Sequence, residues 1–401
     1  MAAPRKRRLL SRMPRVAILL ESTHEMSRGL LRGIAKWTHL HGPWGLHVIM
    51  GGENEQCLPA VDRWKATGII AKVHNERTAK MVLAAKLPTV LIDPLEEFFV
   101  RKHPSFCRVV CDDREIGKLA AEHFLERKFE HFAFIPELRR TDWTRRRIET
   151  FSERLAQEGG TVFLYKNTVD SDADWGDEFK TMIRWLRRLP KPVAVFTSHD
   201  LRARQVLDAC LIGHIDVPRE VAVLGVGNDE LVPIVTTPAL SSIAVDTESG
   251  GFAAAEMLEC LMHGLQPAQR EFAYQPKGVI ARTSTERIML QDSLVSEARE
   301  LIRINSGFGI QVSDIAKRLK LSRRSLELRF AKATGHSVLS EIQQVRLESL
   351  QRLVGHSELP FGKIAEIVGL SNVAYLCKLF KQEFGMTMSE HREEVRRKGE
   401  V

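Results

Sequence analysis

The chain has 401 residues, 44% apolar and 27% charged, enough for two or three domains of about 100–200 residues each with buried cores. No apolar run approaches the roughly 18 residues of a membrane span, and Cys57, Cys107, Cys111, Cys210, Cys260 and Cys377 are scattered rather than spaced as a disulfide framework. The net charge of +8 is uneven: residues 1–15 carry +6, residues 291–401 carry +4 and the long middle −2, which suits contact with nucleic acid at the ends.

The basic start, with Arg5, Lys6, Arg7 and Arg8, runs into no apolar segment with a cleavage site, so it reads as a disordered tail over 1–13 and the protein as cytoplasmic. Short apolar runs then recur at Val16–Leu20, His47–Met50, Gly68–Ile70, Val90–Ile92, Val109–Cys111, Phe132–Ile135, Val162–Tyr165, Val193–Phe196 and Val221–Val226. Helical spacing lies between most of them. Met26, Leu30, Gly33, Ile34 and Trp37 share one face, as do Ile116, Leu119, Ala120, His123 and Phe124, and then Val206, Leu207, Cys210 and Leu211. Strands alternating with helices predict an α/β domain over 14–285 with doubly wound parallel sheets, and the number of strands predicts two lobes.

Ligands on such sheets sit beyond the carboxyl ends of the strands. Glu21, Asp93, His199, Asp200, Asn228 and Asp229 follow predicted strands, and Arg147 lies in the helix after Phe132–Ile135. Carboxylates, an amide and a guanidinium converging on one cleft satisfy the paired donors and acceptors of a polyhydroxylated ligand. These seven residues are the candidate ligand set. Asp112 and Asp113, directly before a helix, are assigned to capping. No catalytic constellation is found. Gly225-Val226-Gly227 lacks the third glycine of a dinucleotide site, and there is no P-loop and no Gly-x-Ser-x-Gly elbow. Cys107 and Cys111 lie on or beside a predicted strand and read as buried thiols rather than zinc ligands. No cofactor, metal or catalytic residue is assigned, and an enzyme is set aside.

After a linker at 286–291 the pattern becomes purely helical over 292–395. Two segments, 312–332 and 361–383, repeat each other. Ile315/Ile364, Ala316/Ala365, Leu319/Val368, Leu321/Leu370 and Ser322/Ser371 are 49 residues apart, and Phe330/Phe380 and Gly335/Gly385 are 50 apart. Each reads as helix, turn, helix, with a small alanine at the crossing and a serine to cap the second helix. Such a unit places its second helix in the DNA major groove. Two copies at near-equal offset are a far stronger signal than one. Between them Ser337–Val354 predicts one amphipathic helix of about 25 Å, a strut for two recognition helices one duplex turn apart.

Gly335-x-Ser337, Arg346-Leu347, the Ile364-Ala365 to Gly369-Leu370-Ser371 run, Phe380-Lys381 and Phe384-Gly385 resemble the AraC/XylS family of bacterial transcription regulators. Met388, where that family usually has proline, and Cys377, where it has serine or threonine, are small departures. From the family's mode of binding, Arg323, Arg324 and Glu327 in the first unit and Asn372, Val373, Ala374 and Lys378 in the second should face the DNA. Lys332 and Lys381 should lie near phosphates. The front 270 residues resemble the sugar-binding domain of LacI-type repressors and periplasmic binding proteins, through Arg147-x3-Phe151 and Thr197–Asp200. The joining of the two, with the stretches from Asp200 to Leu207 and Val217 to Glu230, is similar to sugar-responsive regulators of pentose operons.

What the resemblance implies is a DNA-binding activator of sugar-catabolism genes, controlled by a small sugar, a pentose such as xylose. It implies operator DNA and that sugar as partners, no membrane, and RNA polymerase and a homodimer through the front domain as further candidates. LacI-type domains usually carry aspartate in the place of Gly227, with Asn228 or Asp229 as substitutes here. That departure keeps an alternative open, in which the front domain is a dimerisation platform or binds a ligand other than a pentose.

Overall fold

The computed structural model describes residues 13–48, 64–95, 97–99, 106–139, 141–167, 175–286, 293–305, 309–357, 359–369 and 373–399. Two compact units divide the chain, Met1–Arg287 and Ile288–Val401. In the first, β1 (Arg15–Leu19), β2 (Gly45–Val48), β3 (Gly68–Ala71), β4 (Thr89–Ile92), β5 (Phe106–Cys111) and β11 (Glu271–Tyr274) form a six-stranded sheet. Its order is β11-β5-β4-β3-β1-β2, all parallel. A second six-stranded sheet holds β6 (His131–Ile135), β7 (Val162–Leu164), β8 (Val193–Thr197), β9 (Val221–Val226), β10 (Ser241–Val245) and β12 (Pro276–Ile280). Its order is β12-β10-β9-β8-β6-β7, parallel except for β10 against β12.

Helices cover the faces of both sheets: α1 (Glu25–His41), α2 (Glu76–Ala85), α3 (Asp113–Glu126), α4 (Asp142–Ala156), α5 (Trp175–Arg188), α6 (Asp200–Ile212), the one-turn α7 (Val232–Val235) and α8 (Thr247–Met262). β3, β4, β8 and β9 are buried at every residue, as parallel strands sandwiched between helices must be. The chain passes between the sheets three times: through α3, through α8, and through the single residue Gln275 between β11 and β12. These crossings are stitched together. Asp112 donates its N–H to the Tyr274 carbonyl at 3.0 Å, and Asp246 donates to that of Gln275 at 2.9 Å. α1 packs on α8 through glycines, since a Cβ on Gly251 would stand 1.9 Å from the Leu30 carbonyl oxygen.

Eight of the nine strands read from the sequence are found, and the ninth, expected at His47–Met50, is seen as Gly45–Val48 while residues 49 and 50 lie outside the described residues. Three more, β10, β11 and β12, carry too many serine, glycine, proline and edge positions to show as apolar runs. Leu211, placed by its spacing on the buried stripe of its helix, is instead 66% exposed. The last turn still packs inward through Ala209 and Cys210, and Leu211 falls just past the edge of that buried stripe.

The second unit is all helical: α9 (Ser293–Asn305), α10 (Val312–Arg318), α11 (Arg323–Thr334), α12 (Val338–His356), α13 (Phe361–Ile367), α14 (Val373–Phe384) and α15 (Met388–Gly399). It has two cores. Ile302, Ile315, Leu326, Phe330 and Ile342 build one, and Leu350, Val354, Ile364, Leu376 and Phe380 build the other. α12 gives its first half to the first core and its second half to the second. Its 19 residues span about 28 Å. In the first turn Lys320 adopts the left-handed conformation (φ +55°), and Gly369 does so in the second (φ +72°). Ser322 caps α11 by accepting the Ser325 N–H at 3.1 Å. Ser371 lies outside the described residues.

Candidate ligand cleft and nucleic-acid interface

The strand ends of the first unit open onto a cavity of about 680 Å³. Six of the seven predicted ligand residues line it: Glu21, Asp93, Arg147, His199, Asp200 and Asp229. Asn228 does not. Its backbone turns at φ +51°, and its side-chain oxygen accepts from Arg282 Nη2 at 2.8 Å, behind the strand ends. Asn228 thus stands outside the lining in which it was expected.

Each of the six has a distinct setting. Asp93 accepts from the Cys111 N–H at 2.8 Å and from the Tyr274 hydroxyl at 2.8 Å, tying the ends of β4, β5 and β11 together. Arg147, 2% exposed, donates from Nε to Asp113 Oδ1 at 3.0 Å and from Nη1 to the Ser198 carbonyl at 2.5 Å. Its guanidinium lies 4.7 Å from the centre of the Trp143 ring. Asp113 also takes Arg146, at 2.8 Å. Burial pushes the Asp113 carboxyl above its ordinary range, and the two guanidinium groups oppose that. Asp113 is therefore not the cap expected for α3. Asp112 alone caps that helix, through the Glu115 N–H at 3.1 Å, and its neighbour turns inward to the cleft.

His199 accepts the Arg202 N–H on Nδ1 at 3.2 Å, capping α6. That leaves Nε2 carrying the proton, which it donates to Glu137 at 2.5 Å. Burial alone would raise the Glu137 carboxyl, but His199, the Leu138 N–H and Arg202 hold it down at about 2. Glu21, 3% exposed, faces two imidazoles, His24 at 3.9 Å and His74 at 3.8 Å. Burial lowers both, His74 to about 4, so at neutral pH both rings are uncharged. Asp229 bonds Arg28 at 2.7 Å and accepts the Leu231 N–H at 2.8 Å and the Val232 N–H at 3.3 Å where α7 begins.

Asp200 is the most constrained. It accepts from the Ser242 hydroxyl at 2.5 Å and from the Asp229 N–H at 2.7 Å. Burial raises its carboxyl to about 6 in spite of those bonds. The two glycines of Gly225-Val226-Gly227 make its seat. A Cβ on Gly225 would fall 2.2 Å from Asp200 Oδ1. Gly227 sits at φ +121°, closed to side-chain-bearing residues, and its Cβ position lies 3.5 Å from Asp200 Oδ2. The carboxylate of Asp200 thus occupies the place next to position 227.

In the second unit Arg323, Arg324, Lys332, Val373, Ala374, Lys378 and Lys381 are all exposed, on helices whose inner faces bury Leu326 and Phe330, or Leu376 and Phe380. Glu327 is not turned outward. It is half-buried, and its carboxylate accepts the Val338 N–H at 3.3 Å at the start of α12. Its carboxylate thus serves the start of α12 rather than standing on the outward face with Arg323 and Arg324. Asn372 lies outside the described residues.

Two family models match the chain: a periplasmic binding protein-like domain over residues 121–285 and a helix-turn-helix domain over residues 315–394. The chain joins a periplasmic binding protein-like domain to an AraC-type helix-turn-helix domain. It is similar over nearly its whole length to the xylose operon regulatory protein of Haemophilus influenzae, 26% identical over 386 residues, 94% of this chain and 98% of that one. The xylose operon regulatory protein of Escherichia coli K12 is 24% identical over 391 residues, 96% of this chain and 98% of that one. A solved structure described as a xylose-binding transcription activator shares the fold with a TM-score of 0.79, at 24% identity, covering 96% of this chain and 99% of that one.

Besides Asp113, the lining residues of the periplasmic binding protein-like domain's cleft that sequence reasoning missed include Trp143, Glu137 and Arg202. Trp143 stacks on Arg147 and faces His199 at 6.4 Å between ring centres. A tryptophan in a helix shows no signal of facing a cleft. Glu137 follows β6 directly and fits the same strand-end rule that found Glu21. Arg202, 1% exposed, makes a bidentate pair with the fully buried Glu178 at 2.7 and 3.0 Å and also donates to Asn167 and Gln205. Cys107 and Cys111 are buried thiols on β5, as expected.

Proposed function

We propose that this chain is a sugar-responsive, sequence-specific regulator of transcription. One observation carries the reading: a single chain couples a cleft lined by hydrogen-bonded carboxylates and a buried guanidinium to a duplicated helix-turn-helix unit with exposed basic outer faces. The names of its relatives, xylose operon regulatory proteins, support the same reading. The sugar's hydroxyl groups donate to Asp200, Asp113 and Glu21 and accept from Arg147, while Trp143 covers an apolar face of the ring. These residues come from both sheets, so a bound sugar favours the closed arrangement of the lobes. It shifts the population of a DNA-competent state only by its differential affinity for that arrangement.

The finer assignments are part of the proposal. The effector is a pentose, xylose first. The regulator acts as an activator in the cytoplasm, touching RNA polymerase at the promoter, and pairs with a second copy through the front domain. Residues 14–285 sense and residues 292–395 bind operator DNA. The reading of the front domain as a bare platform rests on the glycine at 227. Asp200 supplies a carboxylate beside that position, which favours a working cleft. A thermal-shift panel of pentoses, hexoses and sugar acids on the full chain tests the reading, paired with operator titrations with and without each sugar. The expected result is one sugar class that raises the melting temperature and changes operator affinity. A panel that moves neither quantity rejects sugar control.

A further inference from the structure

Exposed large aliphatic side chains are informative when they sit where a helix meets its target. On α11 the face opposite Leu326 and Phe330 is formed by Arg324, Leu328 and Lys332, spaced four residues apart. Leu328 is 64% exposed. On α14 the equivalent positions, each 50 residues later, are Ala374, Lys378 and Gln382, all exposed opposite Leu376 and Phe380. At their first two positions the outward faces therefore carry the same two chemistries in opposite order: cation then aliphatic on α11, aliphatic then cation on α14.

Major-groove edges distinguish these chemistries. Guanine offers two acceptors to arginine or lysine, and the thymine methyl group is the only apolar feature there. Four helical residues rise about 6 Å, which spans about two base pairs at 3.4 Å each. We infer that Leu328 and Ala374 are thymine-reading residues and that the two operator half-sites are inverted in composition. The half-site under α11 carries guanine at Arg324 and thymine about two pairs on, at Leu328. The half-site under α14 carries thymine at Ala374 and guanine about two pairs on, at Lys378. The basic surroundings of both helices select DNA as the occupant, and the inference rests on the proposed DNA binding. Leu328 gains an apolar partner that the folded unit does not supply.

The test starts from selection of full-length protein on a randomised duplex library, followed by titrations at fixed salt. Selected sites should carry guanine and thymine in the stated opposite orders. Replacing the Leu328 thymine by deoxyuridine removes one methyl group and should weaken the unaltered protein about threefold to fivefold. Leu328→Ser should bind the thymine and deoxyuridine duplexes equally. Ala374→Gln should move the preference in the second half-site from thymine to adenine. Enriched sites with no thymine at these places, or deoxyuridine duplexes bound as well as thymine ones by the unaltered protein, overturn the inference while leaving DNA binding intact. A library from which nothing is enriched overturns both this inference and the DNA-binding reading.

Discussion

Asp200→Asn isolates the energetics of a buried carboxylate that the fold keeps at a cost. Burial raises its pKa from 3.8 to about 6, against the pull of the Ser242 hydroxyl and the Asp229 N–H. Well below pH 3.8 the carboxyl is protonated in both the folded and the unfolded chain. Between pH 4 and about pH 6 the unfolded chain releases its proton while the folded chain keeps it, so stability falls as pH rises. Above that range the loss is complete and levels off. The gap corresponds to about 3 kcal/mol at neutral pH. Asparagine has no proton to release, so the variant lacks this pH dependence. Urea unfolding of both full-length proteins at pH 4, 5, 6, 7 and 8 reads it, because subtracting one curve from the other cancels the titrations they share. The wild type should lose about 2.4 kcal/mol relative to the variant between pH 4 and pH 7. The same variant should lose the sugar response and keep operator affinity, since the cost is borne for a ligand whose hydroxyl groups need an ionised acceptor. A difference curve that stays flat across that range would refute the argument.

Other perturbations test other parts of the molecule. Gly225→Ala puts a methyl group 2.2 Å from Asp200 Oδ1. It should cost about 1–3 kcal/mol by overpacking, read as a lower urea midpoint, and should abolish sugar-induced thermal shifts. Glu178→Gln leaves the Arg202 guanidinium buried without its charge partner. A loss of about 3–5 kcal/mol is expected in the same assay, and a loss below about 1 kcal/mol would show that Asn167 and Gln205 suffice. Arg324→Ala should weaken operator binding by about 1–3 kcal/mol in a salt-controlled titration. Unchanged affinity removes Arg324 from the interface.

Much of the fold was legible because burial on both faces writes itself into the residues. Val193–Thr197 and Val221–Val226 are apolar almost throughout, since each is covered by helices above and below. The three strands that were missed lack that signature for separate reasons. β10 opens with Ser241 and Ser242, whose hydroxyls are spent on Arg282 and Asp200, so buried polarity hides a buried strand. β11 and β12 are edge strands in different sheets with one residue between them, and no local pattern announces that the chain leaves one sheet and joins the other. The tail was legible through duplication, because two small cores built from the same positions leave the same residues apolar. Its turns were not equally legible. Gly369 marks its turn, whereas Lys320 takes the same left-handed conformation without a glycine to advertise it.

The site was readable to the extent that it obeys one rule, that polar residues after strands face the cleft. The rule found Glu21, Asp93, His199 and Asp200, and it erred where adjacent residues share a strand end. Asp112 and Asp113 are chemically identical in sequence, yet one caps α3 and the other meets two arginines, because successive residues at a helix start point in different directions. Asn228 and Asp229 divide in the same way, one to Arg282 and the other to Arg28. Partners more than 30 residues distant decide each case. The glycines at 225 and 227 show what a sequence motif means once its partner is known. Taken alone they are an incomplete nucleotide-binding fingerprint. Beside Asp200 they are the space a carboxylate needs to stand at the end of β9, where burial raises its pKa.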